Sequence, residues 1–345
     1  MIAPPTFGQY DVLTLQASSV DRLHHPKRQI VLRKHFPSDT INFMSNGVSV
    51  IVPLYNRENY IVPCLESIVS QERNFPLEIL VSDDGSTDRG PDLVREFGEP
   101  VRLIARPDSC GVQGPAAARN RGIAAASYPF IAFLDSDDLF LPGHLQRLRD
   151  ALVCNPDVPF AVDQMFGFDD DVERRWIMPY PEKETIRLET FFLNPYCGPP
   201  SVMMRQSLLA TLPGPFDESL LMGEDVDLFL RILEQHPPAI ILPEPGSAIR
   251  EHDGRSTRDI GRCFRFAESA MRKAAVRHPY PKRLIRKRTA VIHFRLGQAD
   301  IKAGKFITAL FRLGMAFFLD PSRSLSVILR SLGKAYRKKK TADIS

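Results

Sequence analysis

Short apolar runs alternate with segments of helical periodicity between residues 47 and 134, and this alternation constrains the fold more than any other feature of the chain. Intervening segments such as 59–71 and 114–127 carry apolar residues at helical spacing or are rich in alanine. The alternation predicts an α/β fold with a Rossmann-like, mostly parallel, doubly wound sheet flanked by helices. Four runs are predicted as its buried strands: "GVSVIVP" (47–53), "LEILVS" (77–82), "VRLIAR" (101–106) and "PFIAFL" (129–134).

Polar clusters follow three of these strands, as "NRE", "DDGSTD" and "DSDD". In doubly wound sheets, ligands bind beyond the carboxyl ends of the strands, so the three clusters are expected to converge. Asp135, Asp137 and Asp138 crowd three carboxylates into four positions, which is costly unless a cation lies among them. A D-x-D pair offers oxygen ligands to Mg²⁺ or Mn²⁺ bound to a diphosphate. A solvated, helix-capping turn is the alternative, and for the acidic run at 169–171 it is the preferred one.

Charge is divided unevenly along the chain. Residues 1–257 hold 23 basic and 36 acidic side chains, whereas residues 258–345 hold 22 basic and 5 acidic ones. Such a split indicates regions with different partners. The split places a boundary near residue 257, between a domain over residues 46–257 and a basic helical C-terminal region (258–345). Residues 1–45 show no clear period and are predicted to be an N-terminal extension of unknown role.

The cysteines and the termini bear on the cellular compartment. The five cysteines form no C-x-x-C pair, which argues against a disulfide framework or a zinc site. The first residues have neither a basic leader nor an apolar core typical of a secretory signal. No uncharged apolar run reaches the roughly 18 residues that cross a bilayer. A cytoplasmic location is expected, with peripheral membrane contact as an addition.

Four blocks of sequence together resemble one enzyme family. The resemblance covers about residues 47–255 and is to the inverting family 2 glycosyltransferases, which have the GT-A fold. No Q-x-x-R-W block follows the "GED" motif and there are no membrane spans, which implies transfer of a single sugar rather than polymerisation. Trp176 is read either as a platform for an acceptor sugar or as an ordinary packed aromatic. The blocks, in order, are "VSVIVPLYNRENYI", "LEILVSDDGSTD", "ARNRGIAAASYPFIAFLDSDDLFLP" and "GEDVDLFLR".

The resemblance implies a donor site for a nucleotide sugar, with UDP-sugars favoured. Pro53 and Tyr55 would line the pocket for the base, and Asp84 would accept a hydrogen bond from it. Asp135 would lie beside the ribose. Asp137 would ligate Mn²⁺ or Mg²⁺ on the donor diphosphate, and the sequence does not choose between the two metals.

The same resemblance implies an acceptor site. Asp225 would be the general base, and Glu224 would support the acceptor site. His252, in "IREHDGRS", would be a further metal ligand, although a structural histidine is equally compatible with the pattern. Arg231 is predicted to be an ion-pair partner rather than a donor contact. The acceptor would be a hydroxyl of a glycan or of a lipid-linked glycan.

Inverting transfer fits these residue types, because it needs a cation for the leaving diphosphate and one base for the acceptor hydroxyl. Glycoside hydrolysis would need two carboxylates flanking the bond, and no such pair is evident. A non-catalytic protein that binds nucleotide sugars or serves as a membrane-surface scaffold is the main alternative. A hydrolase with an aspartate nucleophile is a weaker one, because "DDGSTD" and "GED" would have no role in it.

The C-terminal residues 301–340 read as two helices broken at Asp320–Pro321. The second, within 322–340, is amphipathic and cationic, a pattern typical of helices that lie on anionic membranes. Packing of a helical hairpin on the catalytic domain, with a solvated basic rim, is the alternative. Nucleic acid is not an expected partner, because no aromatic platform accompanies the basic charge.

Overall fold

The computed structural model describes residues 46–107, 111, 113–169, 176–177, 185–236, 238–252 and 259–327. These residues confirm an α/β fold built on one ten-stranded sheet. The strands are β1 (Val48–Leu54), β2 (Leu77–Asp83), β3 (Val101–Ile104), β4 (Phe130–Phe133), β5 (Leu139–Phe140), β6 (Phe160–Phe168), β7 (Trp176–Ile177), β8 (Thr185–Ile186), β9 (Val202–Arg205) and β10 (Ala239–Arg250). The helices are α1 (Ile61–Val69), α2 (Gly90–Phe97), α3 (Pro115–Ala125), α4 (His144–Cys154), α5 (Leu188–Leu193), α6 (Gln206–Ala210), α7 (Glu224–Leu233), α8 (Ile260–Arg277), α9 (Lys282–Lys302) and α10 (Phe306–Leu319).

The sheet is parallel in one half and mixed in the other. Its strand order is β3-β2-β1-β4-β9-β6-β10-β5, with β7 added to β6 and β8 added to β10. The four strands predicted from the apolar runs form the parallel half, β3-β2-β1-β4. Beyond them β9 runs antiparallel to both β4 and β6, whereas β10 runs parallel to β6, so the second half of the sheet is mixed. A 3-10 turn at Pro199–Ser201 leads directly into β9.

Alternating side chains of β1 enter two cores on opposite faces of the sheet. Val50 and Val52 pack into the core beneath α1, whereas Ile51 belongs to the core on the other face. This period of two is the geometry of a strand buried on both sides. Burial on both faces explains why the strand reads as a continuous apolar run. The strand ends at Leu54, at the sheet edge where the polar clusters lie.

Helix α3 lies unusually close to β1 because its contact surface is made of small residues. Ala116, Ala117 and Ala118 are buried, and a Cβ at Gly122 would overlap the side chain of Ile51. A helix that approaches the sheet this closely holds its remaining side chains in defined positions. One of them, on the same turn, is the buried Arg119.

A buried acid–base pair lies behind the edge strand. The Nδ1 atom of His144 is 2.7 Å from Oδ2 of Asp163, and both side chains are fully buried. Gly246, in an irregular stretch of β10, lies directly against this pair, and a Cβ at this position would overlap both side chains. Glycine is therefore required here for space rather than for backbone conformation.

The helices that follow β10 pack against the sheet domain. Arg277 of α8 forms ion pairs with Asp227 and Glu234, and Arg288 of α9 donates to the carbonyl of Leu193. Helix α10 then packs on α9. None of the helices among the described residues is both long enough and apolar enough to cross a bilayer. The predicted extension 1–45 and most of the predicted second helix of the tail lie outside the described residues.

Candidate active site

The loops that follow β1 and β2 are tied together by side chain to backbone hydrogen bonds. The backbone N–H of Asn56 donates to Ser86 (3.0 Å), and its Oδ1 accepts from the N–H of Thr87 (2.8 Å). The N–H of Glu58 donates to Asp88 (2.8 Å). Asn56 has φ +51°, a conformation that asparagine tolerates better than most residues. The two polar clusters thus form one rigid rim above the parallel strands.

Pro53, Tyr55 and Asp84 lie together on this rim, where the resemblance assigns the nucleotide base. Pro53 is half-buried and Tyr55 is 54% exposed, so an aromatic face is available to a planar ligand. Asp84 is buried; its Oδ1 accepts from Arg121 (2.8 Å) and its Oδ2 from the N–H of Gly114 (2.6 Å). Each carboxylate oxygen has a second lone pair, through which the expected contact to a base would have to be made.

The three carboxylates of "DSDD" have three different environments. Asp135 pairs with Arg119, Asp137 faces His252, and Asp138 accepts from the backbone N–H of Arg250 at 2.9 Å. Asp138 is buried, and it fastens the end of β10 to the loop. The crowding evident in the sequence is therefore relieved by three separate partners.

Arg119 connects Asp135 to Glu224, and sequence reasoning did not single it out. Its guanidinium donates to Asp135 (2.6 Å) and to Glu224 (2.7 Å), and it lies over the ring of Phe216. Arg119 is only 3% exposed. The available signal was an arginine on the alanine-rich, buried face of α3, where an unpaired charge would be very unfavourable.

Asp225 follows Glu224 at the first turn of α7, and its pKa is raised well above the ordinary value of an aspartate. Burial, together with the negative charge of Glu224, raises the pKa of Asp225 to about 7, and the Arg119 charge opposes this rise. Its Oδ1 accepts from the N–H of Val226. A carboxyl group with a pKa near neutrality is suited to exchange a proton with a ligand.

A narrow segment before β9 forms the wall beside Asp225. A Cβ added at Gly198 would lie 4.0 Å from the Oδ2 atom of Asp225. Cys197 is buried, and burial followed by the charge of Asp225 raises the pKa of its thiol. The thiol therefore stays neutral and contributes to the apolar lining.

Asp137 and His252 are brought together from opposite ends of the domain. Oδ2 of Asp137 is 2.9 Å from Nε2 of His252 and 3.0 Å from Nε of Arg57. The imidazole also lies against the ring of Tyr60, with centroids 5.0 Å apart. The ring position of His252 is thus set from two sides.

The carboxylate of Asp137 and the imidazole of His252 fit a divalent cation whose remaining ligands come from a bound molecule. Among the described residues, no group of three or more His, Cys, Asp or Glu side chains could hold a metal ion without further ligands. One carboxylate oxygen and one imidazole nitrogen leave most coordination positions open, and phosphate oxygens commonly fill such positions.

Two other residues from the sequence analysis have clear positions. Arg231 forms an ion pair with Asp227 (2.8 Å) and donates to the carbonyl groups of Gly214 and Pro215, which confirms the predicted ion-pair role. The backbone of Trp176 pairs with Gly167, but its side chain lies outside what the structure describes. Most of the acidic run at 169–171 also lies outside the described residues.

Comparison with protein families gives a match over slightly less than half of the chain. Residues 49–212 match the model of glycosyl transferase family 2. The succinoglycan biosynthesis protein ExoO of Rhizobium meliloti is 30% identical over 61% of this chain and 62% of its own length. The minor teichoic acid biosynthesis protein GgaA of Bacillus subtilis is 31% identical over 54% of this chain and 43% of its own length. The chain thus spans less than two thirds of the length of these relatives.

Solved structures share the fold. Staphylococcus aureus TarS in complex with UDP-GlcNAc superposes with a TM-score of 0.58 at 20% identity, covering 81% of this chain and 82% of that one. The mannosyltransferase PcManGT of Pyrobaculum calidifontis, in complex with GDP-Man and Mn²⁺, gives a TM-score of 0.55 at 22% identity, covering 85% and 83%. At these identities the likeness establishes the fold alone.

Proposed function

We propose that the chain is a family 2 glycosyltransferase that transfers one sugar from a nucleotide sugar to an acceptor hydroxyl with inversion of configuration; the match of residues 49–212 to that family and the fold shared with solved glycosyltransferases support this. UDP-sugars are the proposed donors. The observation that carries the proposal is the convergence of Asp135, Asp137 and Asp225 at one sheet edge, with the pKa of Asp225 raised to about 7. The solved complexes of TarS with UDP-GlcNAc and of PcManGT with GDP-Man support a nucleotide-sugar donor. Because these two ligands differ in their base, they do not choose between uracil and guanine.

Asp225 is the proposed general base. Near neutral pH about half of its carboxyl groups are ionised, so the group can accept the proton of an acceptor hydroxyl as that oxygen attacks the anomeric carbon. Arg119 holds Glu224 in place beside it through a contact of 2.7 Å. A single displacement needs one base only, so Glu224 takes a supporting role at the acceptor site.

Asp137 and His252 are the proposed holders of Mn²⁺ or Mg²⁺ on the donor diphosphate. When bound, the cation would supply charge stabilisation to the departing nucleoside diphosphate. Arg57, 3.0 Å from Asp137, adds a fixed positive charge on the same side. The proposed base pocket at Pro53, Tyr55 and the buried Asp84 orients the other end of the donor.

The proposed biological setting is the synthesis of a glycan or polysaccharide at the cytoplasmic face of a membrane. The names of ExoO and GgaA, a succinoglycan and a teichoic acid biosynthesis protein, support this setting. The acceptor would be a glycan or a lipid-linked glycan. Contact with anionic membrane through residues 322–340 remains a prediction, because most of this segment lies outside the described residues.

Calorimetric titration of UDP and of GDP, each with and without Mn²⁺, tests the donor site. We expect metal-dependent binding of one nucleotide, lost in Asp137→Ala and retained in Asp225→Asn. Asp92→Ala, which removes an exposed carboxylate of α2, is the matched control and should bind normally. Binding of neither nucleotide under any metal condition would remove the donor site, and a role as a scaffold would then be the better explanation.

A transfer assay separates catalysis from binding. With the nucleotide sugar identified by titration, the wild-type protein should release nucleoside diphosphate in the presence of an acceptor. Asp225→Asn should bind the donor normally and release about a hundredfold to ten-thousandfold less product, the range expected for loss of a general base. Unchanged turnover in this variant would exclude Asp225 as the base.

A further inference from the structure

Helix α10 presents its large apolar side chains outward and its small ones inward. Ala309 and Ala316 are buried against α9, whereas the bulky residues at the spacing of the opposite face are exposed. A surface helix of a globular protein normally has the reverse arrangement. The exposed set, which we call the α10 face, consists of Phe306, Ile307, Leu310, Phe311, Phe317 and Phe318.

The inward side explains why this orientation is stable. Gly297 of α9 faces Leu313 of α10, and a Cβ added to the glycine would lie 2.9 Å from that side chain. Small residues on both helices therefore allow a close approach, and Arg312 forms an ion pair with Asp300 across the pair (2.9 Å). The α10 face is thus held outward by specific packing, with Ile307 90% exposed.

A continuous exposed face of this size on a soluble domain indicates an interaction site. Its six side chains lie along one stripe of a 14-residue helix. No element among the described residues covers them. The charge that surrounds the α10 face indicates which kind of partner would cover it.

Every exposed charged side chain within residues 301–327 is basic. Lys302 and Lys305 are exposed at its N-terminal end. The only carboxylate within residues 301–327 is Asp320, which is buried and accepts hydrogen bonds from Ser322 and from the N–H of Arg323. An occupant that complements this surface must therefore be both apolar and anionic.

The basic charge beside the α10 face disfavours two possible partners, a second copy of the chain and the chain's own C-terminal residues. A second copy packed face to face about a two-fold axis would bring the same lysines of both copies together without a carboxylate to pair them. The chain's own residues 328–345 carry six basic side chains and one acidic one, so they would add like charge to the α10 face.

We propose that the α10 face docks on the surface of an anionic lipid bilayer. Its phenylalanine, isoleucine and leucine side chains enter the boundary between headgroups and acyl chains, and the flanking lysines contact the anionic headgroups. The acidic remainder of the chain, with 36 acidic against 23 basic side chains over residues 1–257, is repelled by the same surface. This repulsion directs the catalytic half away from the lipid, with the helical region as the contact.

Co-sedimentation of the full chain with vesicles tests the proposal without any nucleotide sugar, so its outcome is independent of the proposed transferase activity. We expect binding to vesicles of phosphatidylcholine with phosphatidylglycerol, and much weaker binding to phosphatidylcholine alone. The triple variant Ile307→Ser, Leu310→Ser, Phe318→Ser should bind at least about tenfold more weakly. The double variant Lys302→Gln, Lys305→Gln should lose affinity and salt dependence.

A matched control replaces exposed apolar residues elsewhere. The variant Leu221→Ser, Val276→Ser removes side chains that are 65% and 91% exposed, and it should bind like the wild type. Circular dichroism and thermal unfolding should be the same for all variants, because every substituted position is on the surface. Equal vesicle binding by the triple variant and the wild type would overturn the proposal.

Two further outcomes would also overturn it. If light scattering after size exclusion shows a dimer without lipid that the triple variant abolishes, the α10 face is an interface between copies of this chain. If glutamine at positions 337–340 abolishes vesicle binding while the triple variant retains it, the contact is made by the terminal segment instead. A monomer that binds anionic vesicles through α10 is the result we expect.

Discussion

Replacing Asp225 by asparagine should make the protein more stable above neutral pH. Burial first, and the negative charge of Glu224 second, raise the pKa of Asp225 to about 7, whereas an unfolded aspartate has a pKa near 4. A carboxyl group with a raised pKa contributes full stability only below its unfolded pKa. That contribution is lost as the pH rises through the folded pKa, because the folded protein must then hold an unfavourable charge.

The size of the effect follows from the shift. A difference of about three pKa units corresponds to about 4 kcal/mol, and access of water to the half-buried side chain reduces this to about 2–4 kcal/mol. Asparagine keeps an oxygen that accepts from the N–H of Val226 and carries no charge, so it avoids the loss. The variant should therefore exceed the wild type in free energy of unfolding at pH 8, with a much smaller difference at pH 4.5.

Urea denaturation of both proteins at the two pH values measures this difference directly. Glu224→Gln is the informative control, because it removes the ionised partner of the buried Arg119. It should destabilise the protein by about 3–5 kcal/mol at both pH values. A difference between Asp225→Asn and the wild type that does not change with pH would refute the reasoning, as would a variant that is less stable at pH 8.

Four further outcomes are expected, two of them for matched control variants. Arg119→Met removes the charge that lowers the pKa of Asp225, so the rise of transfer activity with pH should move to higher pH, and the free energy of unfolding should fall by about 3–5 kcal/mol. Arg95→Met, which breaks an exposed ion pair, should change stability by at most about 1 kcal/mol and leave the pH profile unchanged. Gly246→Ala should destabilise the protein by about 1–3 kcal/mol or more in thermal unfolding, because its Cβ would overlap the buried side chains of His144 and Asp163. Gly314→Ala, in open space on α10, should be neutral or stabilising by up to about 1 kcal/mol.

The parallel half of the sheet was predictable because each strand is buried on both faces and therefore reads as an unbroken apolar run. The helices α1, α3, α4 and α7 were predictable for a related reason, since each presents apolar or small residues at a regular spacing. The two-residue strands β5, β7 and β8 were not predicted. Pairs of residues carry no periodicity, so only their partners in the sheet define them.

The site was predictable in its carboxylates and not in the groups that hold them. Asp135, Asp137 and Asp225 stand out as acidic residues at the end of a strand or the start of a helix. Arg119 does not, because its partner Glu224 lies 105 residues away and nothing local announces the contact. The same limit applies to α10: the apolar period is evident in the sequence, but which face points outward depends on the small residues of α9.

The fastening of β10 to the "DSDD" loop has a practical consequence for anyone who divides this chain. The bond from the N–H of Arg250 to Asp138 joins positions 112 residues apart, and it brings His252 next to Asp137. The family match ends at residue 212. A fragment cut at that point would retain the parallel strands and all three "DSDD" aspartates. It would lack Glu224 and His252, so the proposed site extends forty residues past the end of the family match.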